Sequence, residues 1–192
     1  MPDTFDRSVV FSDGAYLFLA DGRLNGGTTF TDLVPVLPDS SIEIWAIAGT
    51  QRDGSASVVT WTGPASASPL FRFAQPPTLL EPANGAGGLP VDAELSWASA
   101  TPGAAEADVD CWSESDRSTF LHIRLVTGES SVRLPDLAAF GLTYPPGAQC
   151  YWSVVRGSQL RDVDSYLGAA SRPALPSSRT TEFSDVRWFY PP

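Results

Sequence analysis

The sequence predicts an all-β protein, and three observations support that prediction. Proline and glycine are frequent, with 17 and 16 residues among 192, whereas methionine occurs once. Short apolar segments recur between turn-forming residues, as in strands joined by many turns. No window has the apolar spacing of an amphipathic helix, and proline and glycine would interrupt most candidate helices. The length allows one large or two small domains with a real core.

The N-terminal part contains six segments of strand composition. Asp13-Gly14 and Asp21-Gly22 are favoured turn pairs, so the chain is predicted to begin as strand, turn, strand. The remaining segments lie between Pro, Gly, Asp or Ser residues. The predicted strands are 8–12, 15–20, 28–33, 42–48, 57–62 and 70–73.

A domain boundary is predicted at Gln75-Pro76-Pro77, because consecutive prolines stiffen the chain after a strand and before a new pattern. This divides the chain into domains 1–75 and 76–192, with few contacts expected across the joint. The region 157–179 is polar and proline-rich and is predicted to be a loop. The strands predicted after the boundary are 78–80, 93–98, 108–113, 119–126, 131–137, 150–155 and 181–190.

Alternation within strands predicts which side chains face the core. Trp97 lies in a half-buried pattern with polar neighbours, so it should point inward. After a Pro-Pro-Gly turn, Cys150, Trp152 and Val154 share one face of a strand, and Tyr151 lies on the other. In the last strand, four bulky side chains can cover a core if a bulge aligns them. They are Phe183, Val186, Trp188 and Tyr190.

A weak internal repeat appears when Trp45 is aligned with Trp152. Pro38 then falls on Pro145 and Ile47 on Val154. A period of about one hundred residues predicts two copies of a domain, because solenoid units are much shorter. By this alignment Trp45 is expected in a core.

The charge excludes one class of function. The net charge of -10 repels phosphate backbones, so nucleic acid is not an expected partner. No segment approaches the roughly 20 apolar residues of a membrane helix, and no membrane span is predicted. The N-terminal residues lack the charged and apolar regions of a secretory signal.

The C-terminal part resembles a fibronectin type III domain over 77–190. The resemblance rests on three motifs in order: TLLEPANG, LSW ending at Trp97, and LPDL followed by PPGAQCYWSV. Cys150 occupies the position of the family's corner tyrosine. In the N-terminal part, LVPVLPDSSIEIWAIAG is similar to the same turn and strand, with Ile42 at the corner position. The resemblance implies two tandem immunoglobulin-like β-sandwich domains.

The resemblance also places Cys111 and Cys150 on neighbouring strands of one sheet, where a disulfide can join them. The alternative is two buried free thiols, which pack as small hydrophobic groups. A bridge would favour an exported protein, since cytosolic thiols normally stay reduced. The two cysteines and the single histidine cannot complete a metal site.

Other candidate chemistry is sparse, and no catalytic or metal-binding residue is assigned. His122 lies in a strand-like segment without a nucleophile motif. The pairs Asp108/Asp110 and Asp162/Asp164 could offer oxygen ligands to calcium, but neither has the spacing of a calcium loop. The candidate ligand-binding residues are Trp112, in an acidic segment, and Tyr151, on the face of its strand away from Trp152.

Fold analogy therefore favours a non-enzymatic, secreted or cell-surface module for spacing, adhesion or protein–protein interaction. Its expected partner is a protein or glycan at a cell surface. The alternative is a carbohydrate-binding accessory module of a polysaccharide-active enzyme, because an exposed aromatic ring can stack on a sugar. No cofactor is expected apart from the calcium considered above.

Overall fold

The computed structural model describes residues 4–11, 16–23, 40–49, 54–64, 66–113, 120–157, 162–164 and 177–192. Twelve strands lie within these ranges. They are β1 (Thr4–Phe11), β2 (Tyr16–Arg23), β3 (Ser40–Gly49), β4 (Ala56–Gly63), β5 (Thr78–Glu81), β6 (Glu94–Ala98), β7 (Ala105–Ser113), β8 (Phe120–Thr127), β9 (Ser131–Arg133), β10 (Ala148–Gly157), β11 (Ser177–Phe183) and β12 (Arg187–Phe189). The prediction of an all-β protein is confirmed.

Among the described residues, the strands form two antiparallel sheets. The larger sheet has the order β2-β1-β3-β4-β11-β10-β7-β8, with β12 also paired to β10. The smaller sheet has the order β5-β6-β9. None of the helical segments in these residues has the length and apolar character of a membrane span.

The larger sheet continues across the predicted domain boundary. β11 pairs with β4 along its whole length, from Ser177↔Thr62 to Phe183↔Ala56. The end of β11 also pairs with β10. The expectation of few contacts across the joint is therefore wrong, because β11 is hydrogen-bonded both to β4, before the predicted boundary, and to β10, after it. The division into domains 1–75 and 76–192 stays a prediction.

The main core lies between the two sheets in a sandwich-like arrangement. Leu95 and Trp97 of β6 pack with residues of the larger sheet, including Trp152 of β10. Trp97 and Trp152 are both fully buried, as their strand alternation predicts. Burial of these large rings makes them major contributors to core stability.

Several predicted strands differ from the structure. The 70–73 segment has no regular structure, Asp21-Gly22 lies inside β2, and 28–33 lies outside the described residues. The 131–137 strand stops at Arg133, and Leu137–Phe140 forms a short 3-10 helix instead. Asp136 caps this helix by accepting a hydrogen bond from the Ala138 N–H.

Trp45 does not occupy the core position that the repeat alignment implies. It is 46% exposed, whereas its neighbours Ile44 and Ala46 are buried. The Trp45 Nε1–H donates to Glu43 Oε1 at 2.7 Å on the outer side of β3. The apolar alternation of β3 is therefore out of phase with that of β10 by one residue. Trp45 faces outward because Ile44 and Ala46 take the inward positions of β3.

The last predicted strand is interrupted, which changes the residues that face the core. Residues 184–186 separate β11 from β12, and Ser184 exchanges hydrogen bonds with the Val154 backbone. Phe189 is fully buried, whereas Phe183 and Val186 are exposed. Trp188 and Tyr190 are partly buried and pack edge to face. The prediction that these bulky residues share one core face is wrong, because the interruption reverses the alternation.

Candidate functional site

The outward face of β7, β8 and β10 combines aromatic and charged side chains. On β7, five inward residues alternate with four residues of the opposite face, so each set lies on its own side of the sheet. The inward set is Ala105, Ala107, Val109, Cys111 and Ser113, and the outward set is Glu106, which is also buried, Asp108, Asp110 and Trp112. Cross-strand pairing with β8 and β10 brings further side chains beside the outward set.

Three rings on this face form what we call the aromatic row: Phe120, Trp112 and Tyr151. The Trp112 ring centroid lies 5.7 Å from that of Phe120 and 5.1 Å from that of Tyr151. The Tyr151 hydroxyl donates to Gln149 Oε1 at 3.0 Å, which holds that ring. Phe120 is 53% exposed. The structure thus brings together both candidate ligand-binding residues and adds Phe120, which the sequence reasoning missed.

A charged cluster adjoins the aromatic row. His122 Nδ1 lies 2.7 Å from Asp110 Oδ1, and the His122 ring stacks on Phe120. Arg124 Nε lies 3.0 Å from Glu106 Oε1 and 3.2 Å from Asp108 Oδ1. Strand register places Asp110 opposite His122 and Asp108 opposite Arg124 across β7 and β8, and Glu106 lies diagonally from Arg124. The cluster could be found from sequence only if the pairing of these two strands were known.

The contacts of His122 can be compared with those of a catalytic histidine. His122 Nε2 faces Asp108 Oδ1 at 3.7 Å, so carboxylates lie beside both ring nitrogens. A serine protease-like histidine instead holds a nucleophile at one nitrogen and a carboxylate at the other. Within the described ranges, no group of three or more His, Cys, Asp or Glu residues is arranged to hold a metal ion.

Glu106 has an unusual titration. Burial raises the pKa of its carboxyl from 4.5 to about 7, aided by a hydrogen bond to Asp108 and by the Asp108 charge, against the charges of Arg124 and His122. The folded state therefore keeps a proton that the unfolded chain has lost between about pH 4.5 and 7. The contribution of Glu106 to the free energy of unfolding is therefore greatest below pH 4.5 and falls as the pH rises towards 7.

We expect Glu106→Gln to reduce this loss of stability between pH 5 and 7. The neutral amide removes the titration, whose full effect is on the order of 3 kcal/mol. Urea unfolding measured at several pH values checks the result. Glu94→Gln, at an exposed position of β6, serves as the matched control and should keep the wild-type dependence. An unchanged pH dependence in Glu106→Gln would contradict the assignment.

Cys111 and Cys150 form a disulfide in the structure. They are opposite each other on β7 and β10, with Cα atoms 4.0 Å apart, and both are fully buried. The bridge lies on the core side, directly beneath the sheet face that carries Trp112 and Tyr151. It therefore ties together the two strands that position these rings.

A second buried polar group lies where β10 meets β11. Arg156 is 7% exposed and is opposite Glu182, which is fully buried. The Arg156 guanidinium donates to Ser99 Oγ and to the carbonyls of Thr101 and Gly103. Burial raises the pKa of Glu182, and the charge of Arg156 opposes that rise. The alternation of Cys150, Trp152 and Val154 places residue 156 inward, so a sequence signal for a buried arginine existed.

Comparison with protein-family models, curated proteins and solved structures finds no match to this chain. The structure defines a class at the level of architecture, namely an all-β protein with sandwich-like packing. Arguments about its function therefore rest on the outward face of β7, β8 and β10.

Proposed function

We propose that this chain is a non-enzymatic binding module of an extracellular or cell-surface protein, and that the aromatic row contacts a partner protein. The observation that carries the proposal is the position of Phe120, Trp112 and Tyr151 on the side of the sheet opposite the core. Core packing already uses the inner side, so these rings are not needed there. Aromatic clusters at the surface are typical of protein interaction sites.

The disulfide supports the proposed location. Cys111 and Cys150 are joined, and disulfides persist mainly in oxidising compartments such as the cell exterior. The motifs that resemble fibronectin type III domains support the same class of module. In this proposal, 76–192 is a fibronectin type III-like sandwich and 1–75 is a shorter immunoglobulin-like domain in tandem with it.

The contacts of His122 support the non-enzymatic part of the proposal. Both imidazole nitrogens face carboxylates, so the ring is arranged to bridge Asp108 and Asp110. A bridging histidine of this kind holds β7 and β8 together. Activation of a nucleophile would need one of its nitrogens to face a hydroxyl or thiol.

A carbohydrate-binding accessory module is the alternative. Stacking on a sugar ring is favoured by a broad platform of coplanar aromatic rings, whereas a smaller planar group needs the face of one ring only. Trp112 has a neighbouring ring on each side, with interplanar angles of 44° and 72°. Such tilted packing is typical of protein cores and interfaces and favours a protein partner.

Selection from a random peptide library, with a glycan array in parallel, tests the proposed function. We expect peptides whose affinity falls at least about 10-fold in Trp112→Ala, because anchor aromatics dominate binding energy. Trp45→Ala is the matched control, since Trp45 is also an exposed tryptophan but lies on β3. It should bind the same peptides as the wild type.

Two results would contradict the proposal. A saturable glycan signal that Trp112→Ala abolishes would establish the carbohydrate-binding alternative instead. Peptide binding equally unaffected by Trp112→Ala and Trp45→Ala would show that the aromatic row is not the contact site. Circular dichroism and thermal unfolding of each variant confirm that a lost signal reflects binding and not misfolding.

A further inference from the structure

Asp110 connects the aromatic row to the charged cluster. It is directly opposite Tyr151 on β10 and opposite His122 on β8, and it lies two residues before Trp112 on the same face of β7. Its side chain is 38% exposed. A carboxylate offers about four lone-pair sites. The contact with His122 uses one oxygen, so Asp110 keeps acceptor capacity beside the rings.

On this face the three carboxyl groups of Glu106, Asp108 and Asp110 outnumber the basic groups of Arg124 and His122. Arg124 lies between Glu106 and Asp108, so the Asp108 carboxylate compensates its charge even where Glu106 holds a proton. His122 is the neighbouring group that contacts Asp110. The whole chain carries a net charge of -10, which attracts cations over a distance set by the salt concentration. The complementary partner is a cationic one.

We infer that the aromatic row and Asp110 bind an arginine side chain of a partner polypeptide, an inference that rests on the proposed function. A guanidinium group is planar and donates several N–H groups in a fixed fork. It can donate to the Asp110 carboxylate while it stacks on Trp112 or Tyr151. The adjacent Phe120 supplies apolar surface for the neighbouring residue of the partner.

The same geometry distinguishes arginine from other occupants. The ammonium group of lysine is a compact, strongly hydrated charge that cannot stack as a plane. An acidic polypeptide is disfavoured because its charge has the same sign as the net charge of the chain. A second copy of this chain is also disfavoured at low salt, since two surfaces of net negative charge repel each other.

Three synthetic peptides test the inference. They share a short capped sequence of serine and leucine in which every third residue is arginine, lysine or citrulline. Citrulline keeps the planar shape of arginine without its charge. Calorimetric titration of the full chain should give the tightest binding for the arginine peptide, with the citrulline peptide about 10-fold weaker. Raising the salt from about 50 to about 300 mM should weaken only the two cationic peptides.

Variants of the chain locate the site. Asp110→Asn should weaken the arginine peptide about 10-fold and leave the citrulline peptide unchanged. Trp112→Ala should weaken both, because it removes the ring on which either plane stacks. Asp92→Asn is the matched control, since Asp92 is an exposed carboxylate whose partner is Arg133 and which lies before β6. It should bind all three peptides as the wild type does.

The outcomes separate this inference from the proposed function. The arginine site would be overturned if the arginine and citrulline peptides bind equally, and if Trp112→Ala but not Asp110→Asn weakens them. That result would still support the aromatic row as a contact site. The arginine site alone would also be overturned if none of the three synthetic peptides binds while binders from the random library still require Trp112. If neither the three synthetic peptides nor any peptide of the random library binds, the proposed function itself is contradicted. A dimer in light scattering that Trp112→Ala dissociates would assign the face to a second copy and contradict the inference.

Discussion

Opening the Cys111–Cys150 disulfide is expected to lower the free energy of unfolding by about 4 kcal/mol. The two cysteines are 39 residues apart in sequence, and a closed loop of about this size restricts the unfolded chain by that amount in the chain-entropy treatment. Typical domains are stable by only about 5–15 kcal/mol. Urea unfolding of the oxidised wild type and of Cys111→Ala/Cys150→Ala measures the difference.

Reduced wild-type protein is the control for this experiment. Reduction opens the loop while both sulfur atoms stay in the sequence, whereas the double alanine variant also removes buried volume. The reduced protein should therefore lie between the oxidised protein and the variant. A double variant within about 1 kcal/mol of the oxidised wild type would contradict the predicted role of the bridge. Mass spectrometry of unreduced, alkylated protein checks the thiol state of each sample.

Arg156→Met is expected to destabilise the protein by about 3–5 kcal/mol at pH 8. It removes the positive charge that favours the ionised form of the fully buried Glu182 carboxyl. It also removes the hydrogen bonds to Ser99, Thr101 and Gly103. Because this pair lies where β11 meets β10, the link between the two parts of the larger sheet should weaken. Urea unfolding followed by tryptophan fluorescence measures the effect.

The pH dependence of Arg156→Met and a double variant test whether the lost charge causes the destabilisation. Burial already raises the pKa of Glu182, and loss of the Arg156 charge raises it further. The cost of Arg156→Met should therefore be smaller at low pH, where protonation neutralises the carboxyl, than at pH 8. Arg156→Met/Glu182→Leu should be less destabilised than the sum of the single changes. Additive effects and a cost independent of pH would show that the two charges are not coupled.

Strand alternation within the sequence was enough to predict much of the core. Trp97 and Trp152 lie inward because their neighbours alternate in polarity, and the spacing is a local property of any strand. The same reasoning placed Tyr151 away from the core, and the acidic segment around Trp112 predicted an exposed ring. The repeat alignment gave the wrong side for Trp45, because it transferred a position from β10 to β3 although the two strands differ in phase.

The candidate site was only partly predictable. Trp112 and Tyr151 could be proposed from their own strands, but their contact with each other depends on the register of β7 and β10. Phe120 and His122 join them through the register of β7 and β8. Register between distant strands depends on how whole faces pack, and a slip of one residue would turn these rings to the other face.

Turn residues and alternating polarity act locally, so the all-β class and the core face of the clearest strands could be predicted from the sequence. The pairing of β11 with both β4 and β10 is known only from the folded chain. The same is true of Arg156, which lies opposite Glu182, and of Asp110, which lies opposite both Tyr151 and His122. These pairings join residues that are far apart in sequence, and their selection depends on the burial of entire sheet faces and not on any local pattern.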